Sequence, residues 1–65
     1  MEGIVKRWMT LRGYGFIETE KMKKDIFVHQ SEVKSNKPLM VGQKVRFDIK
    51  EEQRGPQAIN VEAIE

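Results

Sequence analysis

Apolar and polar residues alternate with a period of two along most of this chain, which is the period of a β-strand and not that of a helix. The clearest case is residues 44–50, where Val45, Phe47 and Ile49 alternate with four charged residues. Five segments show this alternation, and we predict a strand in each: residues 3–9, 13–18, 25–29, 44–50 and 56–63. The pattern therefore predicts an all-β fold.

The segments between these strands are short and polar. Residues 19–24 predict a hairpin loop, because a helix of this length without an apolar stripe is unstable. Residues 31–41 form the longest connection, in which Pro38 interrupts any strand and Ser31 could cap a single helical turn. We predict one domain, residues 1–65, folded as a five-stranded antiparallel β-barrel, because closure of the sheet removes its exposed edges.

The composition excludes several classes of function. The chain has no cysteine and one histidine, so we expect no disulfide, no metal site and no cofactor. No apolar run approaches the roughly 20 residues of a bilayer helix. Twelve basic and 10 acidic residues give a net charge of +2, which permits a polyanionic partner. We expect a cytoplasmic, monomeric domain that is not an enzyme and binds neither a membrane nor a small-molecule substrate.

The parity of the strands divides the apolar residues between an inner and an outer face. We predict that ten side chains fill the barrel: Val5, Ile17, Ile26, Val28, Val33, Val45, Phe47, Ile49, Ile59 and Val61. Among the five aromatic residues, only Phe47 belongs to this inner set. The barrel therefore has its other large rings outside its core.

The outer set consists of four aromatic rings and a histidine: Trp8, Tyr14, Phe16, Phe27 and His29. The reverse assignment would bury Asp25 and Glu18 without partners, which costs several kcal/mol. An exposed aromatic patch of this size marks an interaction site.

Basic residues accompany these rings along the chain: Lys6, Arg7, Arg12, Lys21, Lys23 and Lys24. Rings that stack on bases and cations that follow phosphates together predict binding to a single-stranded nucleic acid.

Two motifs identify a resemblance. Residues 12–17 read Arg-Gly-Tyr-Gly-Phe-Ile and match most of an RNA-binding signature. The RRM fold also carries that signature, but it requires two long helices that this chain lacks. Together with residues 25–29, Asp-Ile-Phe-Val-His, the sequence resembles the cold-shock domain, which is an OB-fold barrel. Residues 3–6, 42–45 and 54–58 extend the resemblance over nearly the whole chain.

The resemblance implies binding of single-stranded RNA or DNA, often as an RNA chaperone. The positions that match contact positions of the family are Lys6, Arg12, Tyr14, Phe16, Asp25, Phe27 and His29, together with Arg54, Gly55 and Pro56 in a turn. Whether RNA or DNA is the working ligand stays open.

The chain departs from the family pattern at three places, one of which is the loop of residues 31–41, which is shorter than usual and lacks its aromatic residue. Arg7 stands where the family usually has a tryptophan, and Trp8 takes the neighbouring phenylalanine position. Gln30 replaces an aromatic residue that often follows the histidine. Because parity places Trp8 beside the other rings, we retain Arg7 and Trp8 as candidate contacts. We expect a smaller stacking surface on which charge contributes more to binding.

Peptide binding and catalysis are the two alternative functions. A small barrel can also bind a proline-rich peptide through aromatic residues, and Tyr14 and Trp8 could serve such a groove. Catalysis has little support, because Asp25 and His29 have no evident nucleophile beside them. The basic residues around the rings favour nucleic acid over a peptide.

Overall fold

The computed structural model describes residues 1–64, which form five strands and one short 3₁₀ turn. The elements are β1 (Glu2–Met9), β2 (Tyr14–Glu18), β3 (Ile26–His29), the 3₁₀ turn (Gln30–Glu32), β4 (Lys44–Glu52) and β5 (Gly55–Ala63). All five predicted strands are present, and β4 extends two residues beyond its predicted end. No helix among residues 1–64 has the length and apolar character needed to cross a membrane.

The strands close into a barrel in the order β1, β2, β3, β5, β4. Four of the strand pairs are antiparallel, and β3 pairs with β5 in parallel. In the connection between β3 and β4, Val33 forms an isolated parallel bridge with Val61 of β5. The prediction of an all-β, five-stranded barrel is confirmed, except that β3 and β5 are parallel where an antiparallel barrel was predicted.

Eight of the ten predicted core residues are buried in the barrel: Val5, Ile17, Ile26, Val28, Val33, Val45, Phe47 and Val61. Ile49 is partly buried and packs against this core. Leu39 and Ala58 complete the core with exposures of 5% and 1%, and neither was predicted there. Leu39 lies in the long connection, where no strand parity was available to assign it.

The assignment of Ile59 to the inner set was wrong, because β5 contains an irregularity at Asn60. The register between β4 and β5 shifts there, so that Arg46 pairs with Glu62 but Asp48 pairs with Ile59. Asn60 has a φ of 52°, which lies in the left-handed region. The shift turns Ala58 inward beside Val28 and leaves Ile59 only partly buried.

The placement of Trp8 on the outer face was also wrong, and a β-bulge is the reason. Val5 pairs with Ile17, but Arg7 pairs with Phe16, so β1 contains one residue more than β2 at Lys6. A bulge re-aims the side chains that follow it. Trp8 therefore lies opposite the buried Gly15 and packs against the core.

Candidate nucleic-acid interface

Three aromatic rings from adjacent strands meet on the outer face of β2 and β3. The ring centroids of Tyr14 and Phe27 are 5.4 Å apart, and those of Phe16 and Phe27 are 5.9 Å apart. Tyr14 and Phe16 meet edge to face with a centroid separation of 6.2 Å. All three residues are half-buried. We call Tyr14, Phe16 and Phe27 the aromatic platform; mutual packing fixes the rings while part of their surface stays open to solvent.

The platform follows from the pairing of β2 with β3. Phe16 lies opposite Phe27, and Tyr14 lies opposite His29. Side chains on directly opposed residues are close enough to pack against each other. The prediction that these four residues share an outer face therefore agrees with the arrangement of the two strands.

His29 is exposed at the end of the platform, and its ring orientation is fixed by the next turn. Its Nδ1 atom accepts a hydrogen bond from the backbone N–H of Ser31 at 3.1 Å and lies 2.9 Å from the Ser31 hydroxyl oxygen. A ring nitrogen that accepts a hydrogen bond carries no proton, so Nε2 bears the proton in the neutral ring. This geometry leaves Nε2–H as a donor for a ligand.

The other end of the platform carries charged groups. The Lys6 Nζ atom is 3.5 Å from Oδ2 of Asp25, and their side chains are 53% and 43% exposed. Together with Arg7 and Phe16 they line a shallow groove of about 280 Å³. The bulge explains why two consecutive cations, Lys6 and Arg7, are both exposed here. Within residues 1–64, Arg7 makes no ion pair.

Arg12 lies in the loop that joins β1 to β2. The backbone N–H groups of Arg12 and Gly13 both donate to the Met9 carbonyl, at 3.1 and 2.9 Å. Gly13 has a φ of 75°, a conformation that glycine adopts without strain. The turn leaves the Arg12 side chain exposed close to the strand that begins with Tyr14.

Gln30 occupies the position at which the resemblance led us to expect an aromatic residue after His29. Its backbone N–H donates to the Gly13 carbonyl at 2.8 Å, and its Nε2 donates to the Asn36 carbonyl at 3.1 Å. Gln30 therefore links the β1–β2 loop through its backbone and the β3–β4 connection through its side chain. The structure therefore places a loop contact, and no fourth ring, beyond Tyr14 and His29.

Gln57 was missing from the predicted site. Because β3 and β5 are parallel neighbours, Gln57 lies beside Phe27, while Ala58 turns inward beside Val28. Alternation within residues 56–63 gave no hint that β5 adjoins β3. Met9 was also missed, since the bulge brings it to the outer face opposite Tyr14.

The candidates in the last turn lie farther along β5. Pro56 is half-buried and pairs with Glu51, and Gly55 pairs with Glu52. Arg54 is exposed at the tip of the β4–β5 hairpin. Gln57, which lies beside Phe27, separates these residues from the platform along the chain, so they lie at the edge of the site.

Trp8 does not join the platform. The ring is partly buried against the core, and its Nε1 atom is buried without a hydrogen-bond partner among residues 1–64. The bulge puts Arg7, and not Trp8, in register with Phe16. Arg7 thus borders the platform at the place that the sequence resemblance associated with a stacking tryptophan.

The combination of a five-stranded barrel and an exposed aromatic platform edged by cations is that of a small nucleic-acid-binding domain. Comparison with known proteins supports this class of domain. The family model described as the 'Cold-shock' DNA-binding domain matches residues 1–64, and the chain belongs to the cold-shock domain family. The predicted family and the prediction of single-stranded nucleic acid binding are both confirmed.

Individual relatives cover nearly the whole chain. The major cold shock protein of Streptococcus pyogenes serotype M1 is 48% identical over 62 residues, which cover 92% of this chain and 91% of the relative. The cold shock-like protein CspC of Escherichia coli K12 is 44% identical over 66 aligned positions, covering 98% and 96% of the two chains.

A solved structure shares the fold at low sequence identity. The structure described as Drosophila Unr CSD456 matches with a TM-score of 0.82 and 20% identity, covering 98% of this chain and 26% of that one. This match supports the barrel assignment.

Proposed function

We propose that this protein binds single-stranded RNA or DNA by stacking bases on the aromatic platform and His29. The observation that carries the proposal is the contact between Tyr14, Phe16 and Phe27, whose ring centroids are 5.4 to 6.2 Å apart. Rings packed in this way are already ordered before binding, so little side-chain entropy is lost when a base stacks on them. Stacking on aromatic side chains contributes about 1–3 kcal/mol per base.

The charged residues around the platform take two roles in this proposal. Arg12 and Arg54 are exposed cations on loops, where they can follow the phosphates. Lys6, Arg7 and Asp25 lie beside Phe16, where their polar atoms can meet the edge of a stacked base. Pro56 adds an apolar contact at the margin. Trp8 is left out of the stacking surface because it packs inward.

Single strands should bind more tightly than duplexes, because paired bases do not offer their faces to the platform. The test is fluorescence anisotropy of an end-labelled RNA heptamer and its duplex at one salt concentration. A label on the oligonucleotide is preferable to Trp8 emission, since Trp8 is not part of the platform. Equal affinity for both forms would contradict the proposal, and failure to bind either would favour a peptide ligand.

A matched pair of variants checks the site. Phe27→Ala should weaken binding to the heptamer, and Arg46→Ala should leave it unchanged. Arg46 is an exposed arginine that lies 4.0 Å from Glu2 and pairs with it across β4 and β1, away from the rings. Wild-type affinity in Phe27→Ala would show that the platform does not contact the strand, and a loss in Arg46→Ala as large as that in Phe27→Ala would show that binding is not confined to the platform.

We further propose that the protein acts as an RNA chaperone, as a monomer in the cytoplasm and without catalysis. A protein that binds unpaired strands and not duplexes shifts weak hairpins towards the open form by mass action. The melting temperature of a weak RNA hairpin should fall as protein is added. An unchanged melting temperature at saturating protein would contradict the chaperone role but not strand binding.

A further inference from the structure

The groove beside Phe16 has an order of charges that a base edge can match. Asp25 supplies an acceptor, Lys6 lies next to it at 3.5 Å, and Arg7 follows Lys6 directly in β1. Among residues 1–64, Lys6 lies within ion-pair distance of Asp25 and Arg7 does not, so the groups in order of distance from Asp25 are acceptor, donor, donor. A base that stacks on Phe16 would present its edge to these three side chains, since all four residues line one groove.

We propose that this groove is a base-edge site that selects guanine, and that Arg7 is the residue that distinguishes guanine from uracil. The inference rests on the proposed binding of single strands. It concerns which base is preferred at one position of the strand, which neither the fold nor the aromatic platform determines, because every base has a face that can stack.

Guanine fits the order of the groove at each place. Its N2 and N1 groups are adjacent donors, and an ionised carboxylate has two acceptor oxygens with about four lone-pair sites. Asp25 can therefore accept from both donors and still remain beside Lys6. The next atoms around the guanine edge are O6 and N7, which are both acceptors. They would meet the ammonium of Lys6 and the guanidinium of Arg7.

The other bases match the groove less completely. Uracil has one donor, N3–H, with O4 beside it, which satisfies Asp25 and Lys6 but leaves no acceptor for Arg7. Adenine offers its N6 donor and N7 acceptor and then no further group. Cytosine has the order of donor, acceptor, acceptor, but only one amino group faces the carboxylate. Guanine alone supplies two adjacent donors followed by two acceptors.

Arg7 is available for this contact. It is exposed, it is in register with Phe16, and it has no ion-pair partner in the described part of the chain. Arginine is also the side chain that most often binds the O6 and N7 atoms of guanine in nucleic-acid complexes. A tryptophan at this position would offer a ring face and no such donors, so the arginine changes what the groove can recognise.

The test compares RNA heptamers that differ at the central position of an oligouridine. The central base is uridine, guanosine, inosine, cytidine, adenosine or 7-deazaguanosine, and affinities are measured by anisotropy at one salt concentration. Guanosine should bind about tenfold more tightly than uridine, within the range of one well-made contact between a side chain and a base. Inosine lacks the N2 amino group and 7-deazaguanosine lacks N7, so both should fall between guanosine and uridine.

Two variants test which side chain contacts which atom of guanine. Arg7→Met, which removes every donor at this position, should bind guanosine and 7-deazaguanosine equally and should lose most of the preference over uridine. Asp25→Asn should bind guanosine and inosine about equally, because an NH2 group replaces one of the two carboxylate oxygens and cannot accept a hydrogen bond from the second N–H of guanine. Arg46→Met is the matched control and should keep the full preference. Both altered side chains are exposed, so thermal melting should show an unchanged fold.

The outcomes separate this inference from the proposed function. Equal affinity for all six heptamers, or for the guanosine and cytidine strands, would overturn guanine selection and leave strand binding intact. A loss in Arg7→Met that is the same for every strand would also overturn it, because it would make Arg7 a phosphate contact. If no heptamer binds, the proposed function itself is wrong.

Discussion

The indole ring of Trp8 packs directly against the backbone of Gly15, its partner across β1 and β2, and leaves no room for a side chain there. A Cβ atom added to Gly15 would lie 2.5 Å from Cε3 of Trp8 and 3.1 Å from its Cα atom, and would also overlap the Arg7 carbonyl. Gly15 lies between the two platform residues of β2, Tyr14 and Phe16. The glycine that separates the rings therefore permits a large ring to pack on the inner side of the same strand.

Gly15→Ala should destabilise the protein, because the added methyl group displaces either the indole or the backbone of β1. Overpacking of this kind costs about 1–3 kcal/mol. Urea unfolding followed by circular dichroism measures the loss. A variant with wild-type stability would show that Trp8 and β1 move away from Gly15 at no cost.

Trp8→Leu in the Gly15→Ala background distinguishes the overlap with the indole ring from the overlap with the Arg7 carbonyl. Leucine removes the ring atom nearest to the added methyl group, but the contact with the Arg7 carbonyl remains. The double variant should therefore lose less stability than the sum of the two single variants. Additive losses would mean that the backbone of β1, and not the indole, excludes a side chain at Gly15.

Phe27→Ala and Phe47→Ala should affect binding and folding in opposite proportions. Phe27 is a half-buried platform ring, whereas Phe47 is 1% exposed within the barrel. Phe27→Ala should weaken binding of a single strand by about 1–3 kcal/mol. Phe47→Ala should lower the free energy of unfolding by about 3–5 kcal/mol.

Anisotropy titrations at a temperature where both variants are folded, together with urea unfolding, give the two quantities. Phe16→Ala should behave like Phe27→Ala, since the two rings pack against each other with their centroids 5.9 Å apart. If Phe27→Ala unfolds the protein while its folded fraction binds normally, the platform is a structural cluster and not a binding surface.

Arg12→Ala should reduce the salt dependence of binding. Each phosphate neutralised on a single strand contributes about −0.7 to the slope of log K against log salt concentration. Arg12 is exposed on the β1–β2 loop, so its removal should make the slope shallower by about 0.7. Arg46→Ala, with the same change in net charge, should leave the slope unchanged. Affinities measured at four salt concentrations for each protein give the slopes. Equal slopes of log K for wild type and Arg12→Ala would show that Arg12 does not contact a phosphate.

Strand positions and most of the core could be predicted because alternation responds directly to burial on one face. Val45 and Phe47 in β4, for example, are buried as the pattern indicates. Prediction failed where a strand contains an extra residue. A single bulge reverses the parity on one of its sides relative to the other. For this reason Trp8, which follows the bulge in β1, and Ile59, which precedes the irregularity in β5, were assigned to the wrong faces. Nothing in the alternation of β1 or β5 marks where the extra residue lies.

The candidate site was predictable to the extent that it lies on neighbouring strands of one motif. Tyr14 and Phe16 share a strand, and the turn between β2 and β3 is short enough to bring Phe27 beside them. Gln57 could not be found in the same way, because the parallel pairing of β3 with β5 joins residues 30 positions apart in the sequence. Such pairings depend on how the barrel closes, and local pattern carries no information about closure.

Asn60 provides the last prediction, since it occupies the irregularity that shifts the β4–β5 register. Its φ of 52° suits asparagine and glycine but is costly for a β-branched residue. Its side-chain amide donates to Asp48 at 3.4 Å in an exposed position, and so long a bond contributes little. Asn60→Gly should therefore leave stability nearly unchanged, whereas Asn60→Val should lower it by about 1–3 kcal/mol. Urea midpoints of the two variants test this comparison. If valine is tolerated as well as glycine, β5 can take up a regular register with β4, and the inward position of Ala58 does not depend on the conformation of Asn60.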